Sequence, residues 1–337
     1  MKKLISLLLV FSMMVTFAAC GSEKQGENTT ETTEKMTQQG EKENVVLHLG
    51  VPTAPPTLPI LRMIEKKMLG DNVEIKLDIW DEPEKLIAMI QDGNHDICAF
   101  PLTVISKLYN KGMDVQLLNV NTWGVTYFLT TDPSFKSFAD LKGKTVYVPL
   151  QSSPPDVLTQ YFINQAGLEV GKDVNIVYAS TSEIASLFAA GEAEYGTLIE
   201  PQVTRAMMGN KNLRVALSFE EEWQRVTGTD TMIPNAGIGT SKKFIEQNPE
   251  LVTAFETAYE EALDWVKQNP EEAGTLAEEY LGLKAQLVAK AIPNMGLYYK
   301  NAMNSKDELD AFYHLLYEFN PEMIGGKAPD HGMYYEK

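Results

Sequence analysis

The pattern of hydrophobic and polar positions occurs twice along this chain. Residues 46–58 follow an apolar strand pattern, a short loop, and then Pro55-Pro56 at the start of a helical pattern. Residues 145–157 repeat that order, with Pro154-Pro155 in place of the first proline pair. Each copy continues with a strand, a helix that ends at glycine, a strand followed by proline, and a further helix (Val73–Trp80, Glu84–Gln91, Gly93 and Pro101; Val174–Ala179, Glu183–Ala190, Gly191 and Pro201). Because such alternation is typical of parallel sheets, we predict two similar α/β lobes. A chance likeness between two generic βαβ units is the alternative.

The repeat also predicts where the chain passes between the lobes. We assign residues 45–127 and 235–337 to lobe I, and residues 128–234 to lobe II. The return to lobe I is placed at Pro234-Asn235, because Ala236–Gly239 is apolar and glycine-rich like a crossing strand. Two crossings between two sheets predict a hinge and a cleft that can close.

The amino terminus has the pattern of an export signal. Lys2 and Lys3 precede an apolar stretch over residues 4–17, which is short for a membrane span of about 20 residues. The stretch ends in Phe17–Cys20, which resembles a bacterial lipobox, so we predict a signal peptide over residues 1–19 and a lipid on Cys20. An ordinary cleavage site beside an incidental cysteine is the alternative. The polar residues that follow, up to residue 44, predict a disordered tether. Together these features predict an extracytoplasmic protein anchored to a bacterial cell membrane.

Charge and chemistry narrow the function classes. The 337 residues carry a formal net charge of −17, which argues against nucleic acid as a partner and against attraction to anionic lipid. Membrane contact is therefore expected through the lipid alone. Cys98 lies in an apolar run and is predicted to be a buried thiol. The four histidines have no mutual spacing suited to a metal or to acid–base work. We predict no cofactor, no metal site and no catalytic residue.

Several segments carry a family resemblance, most clearly Gly93–Pro101, Leu198–Pro201, Ser241–Leu251, Ala262–Trp265 and Asn269–Ala273. In their order and spacing the chain resembles the type II periplasmic binding proteins of the nitrate/sulfonate/taurine and thiamine-precursor group. The resemblance extends over nearly everything after residue 45. It implies two Rossmann-like lobes with a hinge and a central cleft. It also implies a receptor that works with the permease and ATPase of an ABC importer, and we expect a monomer.

The loops at the predicted cleft are aromatic and acidic. Ligands of open α/β sheets bind beyond the carboxyl ends of the strands, and the stretches around these loops contain no Lys or Arg (residues 50–61, 99–106, 119–135, 145–165, 195–204 and 226–241). Proline at both helix starts removes N–H donors, and nearby acids would oppose an anion. We therefore predict a neutral or cationic heteroaromatic ligand, of the pyrimidine or vitamin-precursor kind. A nitrate, sulfonate or taurine receptor, a pyrimidine-synthesis enzyme of the same fold, and a surface adhesin or structural lipoprotein are the alternatives.

Individual contacts have structural alternatives too. Trp80 ends a strand and could belong to the core, Ser152 and Ser153 could cap the following helix, and Glu200 could cap its own helix. The predicted ligand-binding residues are Thr53, Pro55, Trp80, Phe100, Thr103, Trp123, Tyr127, Ser152, Ser153, Asp156, Glu200 and Asn235.

Overall fold

A computed structural model describes residues 44–336 of the chain. The predicted signal peptide, Cys20 and nearly all of the predicted tether lie outside these residues. In chain order the strands and helices are β1 Val45–Pro52, α1 Thr57–Glu65, β2 Val73–Trp80, α2 Pro83–Asp92, β3 Ile97–Pro101, α3 Leu102–Asn110, β4 Gln116–Trp123, β5 Thr126–Thr130, β6 Thr145–Val148, α4 Pro154–Gln165, β7 Asn175–Tyr178, α5 Thr181–Ala190, β8 Tyr195–Ile199, α6 Gln202–Gly209, β9 Arg214–Ser218, α7 Phe219–Thr227, β10 Pro234–Thr240, α8 Lys242–Gln247, α9 Pro249–Gln268, α10 Pro270–Leu281, α11 Ala285–Ala291, β11 Leu297–Asn301 and α12 Lys306–Phe319. Both predicted copies of the repeat are present, as β1 to α3 and as β6 to α6.

The strands form two sheets, one for each lobe. The sheet of lobe I has the order β11-β4-β10-β3-β1-β2, and that of lobe II has the order β7-β6-β8-β5-β9. In both sheets the first three strands of the repeat are parallel, and one antiparallel strand lies beside the third (β10 against β3, β5 against β8). Each antiparallel strand is the one that enters its sheet after a crossing between the lobes. The predicted pair of similar α/β lobes is therefore confirmed.

Local sequence signals set the ends of the repeated helices. Gly93 after α2 and Gly191 after α5 both have left-handed backbones, with φ of 70° and 76°. Glycine adopts this conformation without a Cβ clash, which is why it ends both helices. At the other end of α5, the Ser180 hydroxyl accepts a hydrogen bond from the Glu183 amide. Each of these helices directly follows a parallel strand, so its start lies at the carboxyl edge of the sheet.

The two crossings lie side by side. The first runs from β4 to β5 through Gly124, and the second reaches β10 through Ile233. The Gly124 amide donates to the Ile233 carbonyl at 3.0 Å, and the Ile233 amide donates to Glu220 Oε2 at 3.0 Å. The lobe boundary that we predict after residue 127 falls inside β5, and the one before residue 235 falls at the start of β10. The residue ranges of the lobes stay a prediction.

Glycine in the second crossing strand permits close packing. A Cβ added to Gly237 would lie 2.0 Å from the carbonyl oxygen of Asn119 on the neighbouring strand β4. Only a residue without a side chain fits at that distance, which explains the glycine-rich sequence of β10.

A hydrophobic core joins the two lobes behind the crossings. The last helix, α12, follows the final strand of the lobe I sheet, yet its aromatic side chains pack against helices of lobe II. Phe312 lies 6.0 Å from Trp223 of α7, and Phe319 lies 5.5 Å from Tyr161 of α4, as ring centroids. Aromatic pairs in this range contribute about 0.5–1.5 kcal/mol beyond the area they bury. This side of the cleft is therefore held together by a continuous core.

Cys98 lies in the core of lobe I, as predicted. The thiol is buried, and burial raises its pKa to about 12. A thiol with so high a pKa is inert, so its contribution is packing.

Candidate functional site

A cavity lies between the lobes, at the carboxyl edge of both sheets. Its volume is about 370 Å³, within the lower range of small-molecule sites. Residues at the ends of β1, β2 and β3 meet residues at the ends of β6, β7 and β8, and the start of β10 adds Asn235 and Ala236. The fold thus brings loops from both copies of the repeat to one place.

The lobe I wall of the cavity is aromatic, rich in proline, and acidic at its rim. Trp80 ends β2 and Phe100 lies near the end of β3, and both side chains are almost fully buried. Asp81 and Glu82 follow Trp80 and also line the cavity. Burial, together with repulsion from Glu84 and Asp81, raises the pKa of Glu82. This rim therefore disfavours further negative charge. Four prolines complete the wall, namely Pro52, Pro55, Pro56 and Pro101.

The lobe II wall contributes hydroxyl and amide groups and the guanidinium of Arg205, beside the Glu200 carboxylate and the prolines at the starts of α4 and α6. Ser153 precedes α4, and Gln202 and Arg205 belong to the first turns of α6. Three hydroxyl residues at the start of α5 also line this wall (Ser180, Thr181 and Ser182). The two walls therefore differ in chemistry although they stand on the same topology.

Three buried polar atoms at the cavity have no hydrogen-bond partner within residues 44–336. They are Trp80 Nε1, Ser153 Oγ and Asn235 Oδ1, in side chains that are 4%, 0% and 4% exposed. Buried polar groups normally have partners, and each unmade bond costs about 1–3 kcal/mol. We call this set the three unpaired atoms. It comprises one donor, one hydroxyl and one amide oxygen.

Glu200 lines the cavity, but its carboxylate is already hydrogen-bonded within the protein. Its two carboxylate oxygens accept hydrogen bonds from the amide and the hydroxyl of Thr204, at 3.0 and 2.9 Å. Burial raises the pKa of Glu200, and the two bonds from Thr204 partly offset that rise. The carboxylate therefore caps α6, which was the structural alternative for this residue.

Seven of the residues predicted to bind ligand line this cavity. They are Thr53, Pro55, Trp80, Phe100, Ser153, Glu200 and Asn235. The elements of both lobes bring them together from the carboxyl ends of five strands and from the start of β10.

Three other predicted residues support the loop before α4. Thr103 Oγ donates to the Ser152 carbonyl at 2.9 Å, and the Ser152 amide donates to Asp156 Oδ2 at 2.7 Å. Asp156 also accepts from the Tyr178 hydroxyl at 2.9 Å. Ser152 has a left-handed backbone with φ of 65°. These contacts fix the turn that presents Ser153 to the cavity, so Thr103, Ser152 and Asp156 lie behind its wall.

Trp123 and Tyr127 also lie outside the lining and bond to the chain on the lobe I side. Trp123 Nε1 donates to the Tyr298 carbonyl at 2.7 Å. The Tyr127 hydroxyl donates to the Asn294 carbonyl at 3.1 Å, and burial and nearby glutamates raise its pKa to about 12. Their predicted ligand contacts stay a prediction.

Sequence reasoning missed Gln202, Arg205 and the hydroxyl residues Ser180–Ser182 of the lobe II wall. Arg205 lies one residue beyond the stretch 195–204, which contains no Lys or Arg. Ser180–Ser182 follow β7 as Asp81 and Glu82 follow β2, so the repeat itself contained the signal for them.

The described part of the chain contains neither a helix suited to span a membrane nor a cluster suited to bind a metal ion. None of the helices in residues 44–336 combines the length and apolar character needed to cross a membrane. Over the same residues, no cluster of three or more His, Cys, Asp or Glu is arranged to hold a metal ion.

Known structures share this architecture. An ABC transporter protein from Parabacteroides distasonis matches 87% of this chain and 100% of its own, with a TM-score of 0.74 and 23% identity. The aliphatic sulphonate-binding protein SsuA from Escherichia coli matches 87% of this chain and 92% of its own, with a TM-score of 0.71 and 16% identity. The nitrate-binding protein NrtA from Synechocystis PCC 6803 matches 78% and 74%, with a TM-score of 0.57 and 18% identity. The chain therefore has the fold of the solute-binding proteins of ABC importers.

The sequence places the chain in a family of this class. The model of the family described as NMT1/THI5 like matches residues 71–273, and the chain belongs to that family. A protein of Brucella abortus (strain 2308), named as a binding protein, is 27% identical over 177 residues, which are 52% of this chain and 53% of that protein. YtlA of Bacillus subtilis (strain 168), also named as a binding protein, is 27% identical over 131 residues, 38% of this chain and 36% of its own. This chain thus aligns with about half or less of the length of these curated relatives. The resemblance found in the sequence is confirmed.

Proposed function

We propose that this protein is the solute-binding receptor of an ABC importer and that it captures a small heteroaromatic molecule in the cavity between its lobes. The observation that carries the proposal is the convergence of the three unpaired atoms on one cavity beside Trp80 and Phe100. A planar ligand with ring nitrogens would stack on the aromatic wall and supply the missing hydrogen-bond partners. Binding would then recover part of the free energy that these buried groups cost the unliganded fold.

The polarity of the unpaired atoms supports a ring with neighbouring donor and acceptor groups. Trp80 Nε1 can only donate, while Ser153 Oγ can donate or accept. Asn235 Nδ2 lies 3.3 Å from the Thr126 hydroxyl, which itself can donate or accept, so either end of the Asn235 amide can face the cavity. An aminopyrimidine edge presents such neighbouring groups. The acidic rim at Asp81 and Glu82 favours a ring that is neutral or cationic over a bare anion.

The delivery of the ligand belongs to the same proposal. We propose that a lipid on Cys20 and a tether up to residue 44 hold a monomeric receptor outside the cell membrane. The fold class supports a permease and an ATPase as its partners. No enzymatic step is proposed, and turnover of a bound ligand by the purified protein would contradict this point.

A panel of ligands in a thermal unfolding assay tests the proposal. At 100 times its Kd, a ligand stabilises the folded state by about 2.7 kcal/mol. We expect aminopyrimidines and related heteroaromatics to raise the unfolding temperature of residues 42–337. The Asn235→Ala variant should show a smaller rise, because it lacks one of the three unpaired atoms. Stabilisation by nitrate, alkanesulfonates or taurine, without stabilisation by any heteroaromatic, would contradict the proposal.

One observation favours a second candidate function, that of a receptor for nitrate, a sulfonate or taurine. Arg205 adds a cation to the lobe II wall, near the starts of α4 and α5, and the names of two structural neighbours refer to sulphonate and nitrate. The anion panel is therefore a necessary arm of the experiment.

A further inference from the structure

We infer that Arg205 binds an acidic group of the ligand, so that the cargo is a heteroaromatic acid of the carboxylate class. This inference rests on the proposed function, because it assigns a substituent to the heteroaromatic ligand. The ring would lie on the lobe I wall, and the acidic group would face lobe II.

The first argument is the state of Arg205 in comparison with the other arginines. Arg62 pairs with Glu65 at 2.6 Å, Arg225 pairs with Glu222 at 2.6 Å, and Arg214 donates to two backbone carbonyls at 2.7 and 3.0 Å. Within residues 44–336, Arg205 has no carboxylate partner, and its one hydrogen bond is a long contact of 3.4 Å to Gln202 Oε1. A guanidinium has five N–H donors. Most of those of Arg205 are therefore available at the cavity.

The second argument is the surroundings of Arg205. Glu200 lies just before α6, and both of its carboxylate oxygens accept hydrogen bonds from Thr204. The other polar groups of the lobe II wall, such as Gln202 and Ser182, are uncharged. Among the described residues 44–336, an incoming carboxylate would thus meet the guanidinium of Arg205 without a competing ion pair. The planar fork of arginine suits a carboxylate, which it can bind through two parallel hydrogen bonds.

The third argument is the charge of the opposite wall. Asp81 and Glu82 carry the acidic rim on lobe I, whereas the arginine is on lobe II. A ligand with an amino-substituted ring and a carboxylate would place its N–H donors against the acids of lobe I and its carboxylate against the arginine of lobe II. The three unpaired atoms stand beside these walls, and they supply the hydrogen bonds to the ring. This division orients the ligand in the cleft, and it disfavours simple anions, which have no group for the acidic rim.

The test is a matched pair of probes, 4-aminopyrimidine-5-carboxylate and 4-aminopyrimidine-5-carboxamide. They have nearly the same shape and differ in charge. Calorimetric titration should show that the wild-type protein binds the carboxylate at least tenfold more tightly than the carboxamide. Arg205→Gln should remove this preference, and Arg205→Lys should keep part of it. Arg225→Gln, which removes an exposed arginine of α7, is the matched control and should leave the preference unchanged.

The outcomes separate the inference from the proposed function. Equal affinity of the wild type for the two probes, or a preference that survives in Arg205→Gln, overturns the inference. Failure of both probes to bind overturns it as well. In each of these cases the proposed function is judged separately, by whether other heteroaromatics in the thermal panel stabilise the wild type. Because Arg205 is largely exposed, the unfolding temperature of the unliganded Arg205→Gln variant should match that of the wild type, which excludes misfolding as the cause of lost selectivity.

Discussion

The two lobes share one topology but present different walls to the cavity between them. In lobe I the strand ends contribute indole and phenyl rings with two acids, and in lobe II they contribute hydroxyls, an amide, a guanidinium and the hydrogen-bonded carboxylate of Glu200; prolines line both walls. Strand order and helix ends depend on apolar periodicity and glycine, which both copies of the repeat retain. Wall chemistry depends on a few residues after each strand, which can differ without affecting the sheet. The comparison shows that a repeated scaffold can present two chemically unlike surfaces to one cavity.

The proline pairs show the same contrast in one motif. Pro55-Pro56 precede α1, and the Pro56 carbonyl accepts a hydrogen bond from the Tyr259 hydroxyl at 2.8 Å. Pro154-Pro155 are the first two residues of α4, so the preceding Ser153 becomes the N-cap, and its hydroxyl forms no capping bond. Both proline pairs line the cavity, but the shift of the motif relative to the helix start leaves a buried hydroxyl without a capping bond before α4 only.

The largest expected effect comes from removal of the lobe I ring surface. Trp80→Ala should weaken binding of the best heteroaromatic ligand by about 100-fold, because aromatic residues at the centre of a site commonly contribute more than 2 kcal/mol. Trp80→Phe keeps a ring and removes the indole N–H, so a loss of about threefold to tenfold is expected for one hydrogen bond. Calorimetric titration measures both changes.

Trp223 provides the control for these variants. Its indole N–H lies outside the cavity and donates to the Thr231 hydroxyl at 3.3 Å. Trp223→Phe should lower the unfolding temperature and leave the affinity near that of the wild type. An affinity that is unchanged in Trp80→Ala would break the proposed contrast between the walls.

The pH dependence of stability tests the buried acid on the lobe II side. Glu200 is 2% exposed, and burial raises its pKa above the ordinary value of 4.5. As the pH rises from 4.5 through that raised pKa, the unfolded chain ionises more readily than the folded one, so Glu200 makes the folded state progressively less stable. Relative to Glu200→Gln, the wild type should therefore lose stability over this window and stay constant above it. Urea unfolding at a series of pH values gives the difference, and a difference that does not vary with pH would contradict the assignment.

The smallest expected effect concerns the hydroxyl of Ser153. Ser153→Ala removes a group that has no partner within residues 44–336, so the free energy of unfolding should stay the same or rise slightly, while ligand affinity falls by about threefold to tenfold. Ser106 is the matched residue, because its buried hydroxyl donates to the Thr103 carbonyl at 3.0 Å. Ser106→Ala should cost about 1 kcal/mol of stability without a change in affinity. A loss of stability without a loss of affinity in Ser153→Ala, together with a loss of affinity in Ser106→Ala, would show that Ser153 faces no ligand.

The sequence predicted the parts of the fold that depend on local pattern. Helix ends at Gly93 and Gly191 and the strands before Trp80 and Pro101 follow from glycine conformation and apolar periodicity. The antiparallel strands β5 and β10 are not evident from the repeat, because their neighbours are separated from them in sequence. The crossings were predicted close to where they occur, near residues 127 and 234, but the strand pairings that follow them, β5 beside β8 and β10 beside β3, join residues far apart in the sequence.

The lining of the cavity was predictable where the strand-end rule is sufficient, as for Trp80 and Phe100. Trp123 also ends a strand, but its indole bonds to the Tyr298 carbonyl of β11, which arrives from a distant part of the chain. Asp156 begins a helix at the cleft, yet it turns back to support the Ser152 amide. Arg205 is the fourth residue of α6, too far from the end of β8 for the rule to include it. Long side chains and distant strands therefore account for most of what the pattern did not predict.

A crystal structure of residues 42–337 with the tightest-binding heteroaromatic from the thermal panel tests the central claim most directly. The account predicts a ligand between the lobes, stacked on Trp80, with polar atoms within hydrogen-bond distance of Trp80 Nε1, Ser153 Oγ and Asn235. A ligand bound elsewhere, with these three atoms still unpaired and the cavity occupied only by solvent, would contradict it.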